Sequence, residues 1–454
     1  MFIHGRRIDA GRHRTYEVIN PANGERVGSA ILGDAADAGM AVESAKEAQR
    51  QWAETSVSDR AELLEKGLAA VSEQARALSI LLTREQGKPL PEAVAEIENF
   101  VYHMRAFISL GKKSRDGRIP LPPSMRAASK GKIKRQEEGI SVGLVAWNFP
   151  VSLMAKKAGP ALISGNPIII KPAFTTPLTA ARVIELLNEA GLPPGVLNCV
   201  TGSGKEVGEA LINHSHTGRV HLTGSNETGK KIAEITRDLS PDLLLELAGS
   251  NPMIVCADAD LPKAVNGALI GRFRNAGQVC TAVKRLYLAS KIYDEFLDRL
   301  VGHVRLYEPG DGLVEATSPR VRIGPLHTAG QREEIEGQLL DAVSKGARVV
   351  IGGKRPAGEG LGRGYFFEPT VVTDVSKDSK LVTEEVFGPV LPVFKVSSLD
   401  EAIAEANDSR WDLGASIWTQ NRDSARRAAK QIHCQRVWVN QLQFGSDRAG
   451  LATN

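Results

Sequence analysis

Pro167-Ile-Ile-Ile-Lys171, followed by Leu178-Thr-Ala-Ala-Arg-Val-Ile-Glu-Leu-Leu-Asn-Glu189 and then Val196-Leu-Asn-Cys-Val200, is the stretch that decides the fold. The first piece is a short apolar, β-branched run bounded by prolines, as in a strand buried on both faces. The second repeats its apolar residues at helical spacing. The third is again short and apolar, after the turn-forming Gly191-Leu-Pro-Pro-Gly195. Strand, helix and strand in this order make a βαβ unit with parallel strands. Outward from it, the alternation continues through a helix from Glu206, a strand at Val220 to Thr223, a helix from Glu227 and a strand at Leu243 to Leu247. A second series starts at Met253. It runs through a helix from Ala264 to Asn275, a strand at Arg285 to Leu288, a helix from Glu333 to Lys345 and strands at Arg348 to Ile351 and Leu391 to Val396. It ends with a helix from Leu399 to Ala406, a strand at Ala415 to Trp418 and a helix from Ser424 to Ile432. The fold class is α/β, with two tandem parallel-sheet domains. Ahead of them, Ala35 to Leu110 has helical periodicity, and Gly87-Lys-Pro-Leu-Pro91 divides it into two long stretches. Gly117 to Glu137 combines prolines with the alternating Lys132-Ile-Lys-Arg-Gln-Glu137, which suits a hairpin arm.

The bulk numbers agree with this division. At about 150 residues per domain, 454 residues make more than one compact core. The chain is 42% hydrophobic and 24% charged, as in a globular protein, and its net charge of +4 is spread too thinly for a nucleic-acid footprint. The densest basic cluster, Lys130 to Arg135, reads as an exposed strand with polar edges. No segment approaches the roughly 20 apolar residues of a membrane span, and the N-terminus lacks a secretory pattern, which implies a cytoplasmic protein. The 4 cysteines lack CxxC spacing and are expected to be reduced thiols. His214, His216 and His221 cluster, but no spaced acid or cysteine completes a ligand set, so no metal site is expected.

Chemistry concentrates in Phe273-Arg-Asn-Ala-Gly-Gln-Val-Cys-Thr-Ala-Val-Lys-Arg285, where a cysteine sits between a helix and a strand. Gly277 allows close backbone approach to a ligand. Backbone N–H groups beside Cys280 favour a thiolate and can bind an oxyanion. Cys199, Cys256 and Cys434 lie mostly in apolar surroundings and read as buried and inert. Glu246 falls in Leu243-Leu-Leu-Glu-Leu-Ala-Gly249, where burial in an apolar strand would raise its pKa and make it either a general base or half of a hidden ion pair. Trp147-Asn-Phe-Pro150 offers Asn148 as an oxyanion donor or as a helix cap. Gly224-Ser-Asn-Glu-Thr-Gly-Lys-Lys231 has the spacing of a phosphate loop. Lys231, however, stands where magnesium binding needs Ser or Thr, which leaves only a helix N-terminus suited to a diphosphate. Gly202-Ser-Gly204, with Gly208 one residue late, reads as a tight turn rather than a dinucleotide fingerprint.

Together with Lys171-Pro-Ala173, Leu222-Thr-Gly-Ser225, Leu245-Glu-Leu-Ala-Gly249 and Glu384-Glu-Val-Phe-Gly-Pro389, these motifs resemble the aldehyde dehydrogenase superfamily in its order and at its distances. The likeness runs from Ile19-Asn-Pro-Ala22 to Val437-Trp-Val-Asn440. It implies NAD(P)-dependent oxidation of an aldehyde to a carboxylic acid through a thioester. Cys280 would be the nucleophile, Asn148 with the Cys280 backbone N–H the oxyanion hole, and Glu246 the general base. It places Lys171 and Ser225 at the adenosine ribose and diphosphate, and Glu385 and Phe387 at the nicotinamide ribose. Trp147, Ala173, Phe174, Gly202, Thr223, Gly224 and Leu247 complete the cofactor contacts. It also implies a dinucleotide-binding domain (1–116 and 139–247), a catalytic domain (248–432) and a β-strand oligomerisation arm (117–138 and 433–454).

The departures from that pattern carry expectations of their own. Ala146 replaces the family's usual Pro, Leu222 a Phe, and Ala248, Asp412 and Gln435 glycines. If those glycines serve positive φ, each replacement costs on the order of 1 kcal/mol, and a catalytically weak or silent dinucleotide-binding or assembly protein becomes the alternative. Phe174 stands where NAD-preferring members carry Glu, so repulsion of a 2′-phosphate is absent and NADP is expected beside NAD. Uncharged Val279 and Thr281 favour an apolar or hydroxylated aldehyde over succinic semialdehyde. The family continues past Val437-Trp-Val-Asn440 with a Pro-Phe-Gly-Gly loop and a final strand that Ser446 to Asn454 does not match. The expectation is a homodimer or weakened homo-oligomer with no nucleic-acid or membrane partner.

Overall fold

The computed structural model describes residues 1–11, 13–113, 139–237, 239, 241–315 and 320–441. The chain forms two compact units, 1–18 with 26–82 and 96–246, and 19–25 with 83–95 and 247–454. The first unit holds a seven-stranded sheet in the order Arg6–Arg7, Phe2–Ile3, Leu197–Cys199, Ile168–Lys171, Ile140–Leu144, Thr217–Thr223, Asp242–Glu246. The last five strands are parallel, and the two N-terminal ones add antiparallel. The central strand Ile168–Lys171 is buried throughout, as its apolar run requires.

The helical layer contains more breaks than its periodicity suggests. Where two long stretches were expected, there are four helices, Ala35–Glu54, Val57–Glu73, Ala75–Gln86 and Leu90–Lys113. Thr55 turns extended, and the Ser56 side chain caps the next helix at Asp59 N, so two residues reset the chain without interrupting the apolar pattern. The Ala35–Glu54 helix opens on a capping box between Asp34 and Asp37. Trp52 at its far end is fully buried, with Nε1 donating to Leu162 O at 3.0 Å.

The second unit holds another seven-stranded sheet, in the order Arg348–Ile351, Thr370–Thr373, Val390–Val396, Val283–Ala289, Asn251–Val255, Ala415–Trp418, Val437–Val439. All neighbours are parallel except the first pair. Strand alternation sends Met253, Val255, Leu286 and Leu288 into one core with the Leu261–Phe273 and Tyr293–Val304 helices. Ile254, Tyr287 and Ile417 go into another core with Leu399–Asn407 and Arg422–Gln431. This doubly wound sheet therefore has a core on each face. Val437–Val439, which the sequence reading assigned to the arm, is the edge strand of this sheet. The expected hairpin at 117–138 and the segment 442–454 lie outside the described residues.

Candidate active site

Cys280 is presented by an unusual bend. Past the Leu261–Phe273 helix, Asn275, Ala276 and Gly277 are all left-handed, at φ 50°, 53° and 75°. Two non-glycine residues in that region cost about 1–2 kcal/mol each, and their surroundings offset this. Asn275 N donates to Glu92 Oε2 at 2.8 Å, Gln278 Nε2 donates to Asn275 O at 2.8 Å, and Gln278 Oε1 accepts from His327 N at 2.8 Å. Asn275 and Gln278 are both buried. Gly277 is needed because a Cβ there would collide with the Gly388 carbonyl oxygen. The close approach seen here is backbone to backbone. Cys280 itself is half-buried, and its carbonyl accepts from Asn251 Nδ2 at 2.7 Å and from Lys284 Nζ at 3.5 Å.

Burial disfavours the thiolate at each of the other three cysteines. Burial pushes both Cys199 and Cys256 up to about 11 and also raises Cys434. Of these only Cys199 is fully buried; Cys256 and Cys434 are half-buried, contrary to the sequence expectation.

Glu385 is held by groups the sequence did not flag. Its Oε1 accepts from Gly249 N at 3.2 Å and from the ammonium of Lys284, while among the described residues Oε2 takes no hydrogen bond. Lys284 is fully buried, also donates to Gly249 O at 2.6 Å and lies 5.2 Å from the centre of the Phe387 ring. Burial lowers its pKa, and the Glu385 carboxylate pulls it back up. The backbone of this loop is pinned as well. Gln338, Arg272 and Gln331 donate to the carbonyls of Glu385, Val386 and Phe387 at 3.2, 3.0 and 2.8 Å.

In the first unit the buried Asn148 precedes the Pro150–Ile163 helix. It is not the cap. Phe149 occupies that position without a side-chain bond, and the buried Glu96 serves instead, its Oε1 accepting from Val151 N at 2.9 Å and Ser152 N at 3.2 Å. Lys171 ends a strand, is buried and donates to Pro172 O at 3.1 Å; burial lowers its pKa to about 8. Ala173 is half-buried, and the exposed Phe174 stacks on Tyr16 with ring centres 3.9 Å apart. Thr223 ends its strand, Gly224 follows, and the Ser225 side chain caps the Asn226–Ile235 helix at Thr228 N. Gly229 lies inside that helix, and Lys231, at the position where a phosphate loop needs Ser or Thr, pairs with Glu209 at 2.6 Å. The helix N-terminus remains suited to a diphosphate. Gly202 has φ 142° at a turn into the short Gly204–Gly208 π-helix, which agrees with the tight-turn reading.

Glu246 corrects the sequence reading of its surroundings. Asp242–Glu246 is an edge strand with alternating exposure, and Glu246 is exposed rather than buried. Its electrostatic neighbour is Lys157, which the sequence did not single out, although a lysine on the apolar face of the Pro150–Ile163 helix is a visible signal. Lys157 is buried and donates to Thr223 Oγ1 at 2.6 Å. Burial lowers its pKa to about 7 against the opposing attraction of Glu246. His221 is held at about 3 by burial and by the charges of Lys157 and Arg219, which keeps it neutral. Cys280, Leu247, Glu385 and Phe387 belong to the second unit; Asn148, Lys171, Ser225 and Glu246 belong to the first. None of Ala146, Leu222, Ala248, Asp412 or Gln435 has positive φ, so the expected backbone strain at the replaced glycines is absent.

In the first unit, a lysine at a strand end and a capped helix N-terminus after Gly224 suit the phosphates of a dinucleotide; in the second, Glu385 Oε2 takes no hydrogen bond among the described residues and could accept one from a ribose hydroxyl. The sequence model described as the aldehyde dehydrogenase family matches residues 8–450. The chain is 38% identical over 441 residues to glutarate-semialdehyde dehydrogenase of Pseudomonas aeruginosa, covering 97% of this chain and 89% of that one. It is 36% identical over 438 residues to the NADP(+) succinate-semialdehyde dehydrogenase of Escherichia coli, covering 96% and 89%. Among solved structures, 3,6-anhydro-L-galactose dehydrogenase in complex with NAP superposes with a TM-score of 0.89 at 36% identity, covering 97% of this chain and 91% of that one. The chain belongs to the aldehyde dehydrogenase family, and its activity is the oxidation of an aldehyde to a carboxylic acid with NAD or NADP.

Proposed function

We propose that Cys280 is the nucleophile, that Asn148 and the Cys280 backbone N–H hold the oxyanion, and that Glu246 activates the deacylating water. The observation that carries this reading is the strained Asn275–Gly277 bend, which is held by buried side chains and leads directly into Cys280. Strain retained at such a cost is a mark of function. Sγ adds to the aldehyde carbon, and the carbonyl pair moves to oxygen, where two N–H donors stabilise it. A nicotinamide cofactor, when bound, would supply the acceptor for the hydride leaving that carbon, and the carbonyl that re-forms is a thioester on Cys280. Glu246 then takes a proton from water as its oxygen attacks the thioester; the C–S bond breaks and the acid departs.

We further propose that the first unit binds the dinucleotide through Lys171, Ser225 and their neighbours, that the second carries the nucleophile, and that the protein is cytoplasmic. Free thiols suit a reducing compartment, and among the described residues no helix is long and apolar enough to cross a membrane. Assembly as a homodimer or weakened homo-oligomer is read by light scattering at micromolar concentration, where a tetramer that survives dilution would overturn it. Val279 and Thr281 favour a neutral or hydroxylated aldehyde, whereas several similar enzymes are named for semialdehydes. An aldehyde panel decides between them, and higher kcat/KM for succinic semialdehyde than for every neutral aldehyde would refute the neutral preference. Loss of turnover in Cys280→Ser tests the nucleophile.

A further inference from the structure

Apart from the candidate active-site residues, Glu43 on the Ala35–Glu54 helix meets His214 and His216 on the turn that enters the Thr217–Thr223 strand. The sequence showed the two histidines but not the acid, which lies far upstream. One carboxylate oxygen, Glu43 Oε1, is 3.4 Å from His214 Nε2 and 3.3 Å from His216 Nδ1, and the three atoms lie within 4.8 Å of one another. With metal–ligand bonds of about 2.0–2.1 Å, the edge of a tetrahedron is about 3.3–3.4 Å, so two edges of a tetrahedral site are already drawn. His216 Nδ1 is shut off from solvent yet makes no hydrogen bond, so its approach to Glu43 is not one. A buried ring nitrogen without a hydrogen-bond partner is costly, and a cation held between it and the Glu43 carboxylate would satisfy it.

The turn is held independently of these side chains. Thr217 N donates to His214 O at 2.9 Å, Ile140 N to His216 O at 2.9 Å, and Thr217 Oγ1 to Leu211 O at 2.6 Å. The two imidazoles are therefore presented by a fixed backbone. One contact opposes the arrangement. His214 Nδ1 accepts from His216 N at 3.3 Å, and metal binding at Nε2 would move the ring proton to Nδ1 and forfeit that long bond.

We propose that Glu43, His214 and His216 form a binding site for a zinc-class divalent cation, with solvent as the fourth ligand. Two imidazoles and one carboxylate are borderline donors that suit Zn²⁺, Co²⁺ and Ni²⁺ rather than Mg²⁺ or Ca²⁺. The cation would tie the Ala35–Glu54 helix to the start of the Thr217–Thr223 strand. The test is equilibrium dialysis of the full-length, metal-stripped protein against Zn²⁺, with dehydrogenase activity confirming that each surface variant is folded. The expected result is one Zn²⁺ per chain at micromolar concentration, unchanged in Cys280→Ser and weakened at least thirtyfold in both His216→Ala and Glu43→Gln. Zn²⁺ should also raise the Tm of the wild type but not of His216→Ala. The absence of a saturable site, or a site that survives both variants or disappears in Cys280→Ser, would overturn the proposal.

Discussion

Replacing Lys284 by methionine tests whether the Glu385 loop is organised by charge. The ammonium is fully buried and serves Gly249 O, the Cys280 carbonyl and Glu385 Oε1, and methionine fills similar volume without any donor. Removing one member of a buried pair costs about 3–5 kcal/mol, because the remaining charge is left without compensation. Glu385 keeps its bond from Gly249 N, and its side chain is 19% exposed, which places the expected loss near the lower end, about 3 kcal/mol. The double variant Lys284→Met/Glu385→Gln removes the stranded charge and should recover most of that loss. Denaturant unfolding of the four proteins in the cycle measures the coupling directly. If Glu385 also meets the nicotinamide ribose, the single variant raises KM for the cofactor more than it changes kcat for a saturating aldehyde. A loss below about 1 kcal/mol with unchanged cofactor KM would refute this reasoning.

Two further outcomes follow from the first unit. Phe174 stacks on Tyr16 and offers no carboxylate to the adenosine ribose, so kcat/KM for NADP should be comparable with that for NAD, and Phe174→Glu should shift the ratio toward NAD. A wild-type preference for NAD above about a hundredfold, or ~2.7 kcal/mol, would contradict it. Lys157 and Lys171 have folded pKa values lowered to about 7 and about 8, below the ordinary 10.5. Between those values and the unfolded pKa the unfolded chain binds more protons, so each lysine makes stability rise with pH by up to about 1.4 kcal/mol per unit. Denaturation of wild type and Lys157→Met at pH 7.5 and 9.0 isolates one share: the methionine variant should gain less stability over that interval, and an equal or larger gain would remove the basis for the lowered pKa.

Much of the architecture was legible because parallel strands buried on both faces read as apolar runs, as at Ile168–Lys171 and Ala415–Trp418. The same rule misled at Leu243-Leu-Leu-Glu246. Nothing in an apolar run distinguishes a central strand from an edge, and here the edge leaves Glu246 exposed. The segment around Cys280 was legible as chemistry. What makes it a rigid bend was not, since Glu92, Asn251 and His327 come from distant parts of the chain. Lys284 stood in the quoted motif, but its partner Glu385 is a hundred positions away in another motif, and only the fold joins them. The breaks at Thr55-Ser56 and Gln74 escaped because capping substitutes locally for the missing helical bonds without altering apolar spacing.

In the proposed mechanism a thioester forms on Cys280 and Glu246 helps to hydrolyse it. Loss of a general base typically slows a step by about 10²–10⁴, so Glu246→Gln mixed with aldehyde and NADP should accumulate the acyl-enzyme. Intact-mass spectrometry within the first turnovers should show that variant heavier by one acyl group, with the added mass mapping to the Cys280 peptide and absent when Cys280→Ser is introduced as well. Aldehyde oxidation at the wild-type rate by Cys280→Ser, or an adduct that persists without the Cys280 thiol, would contradict the account.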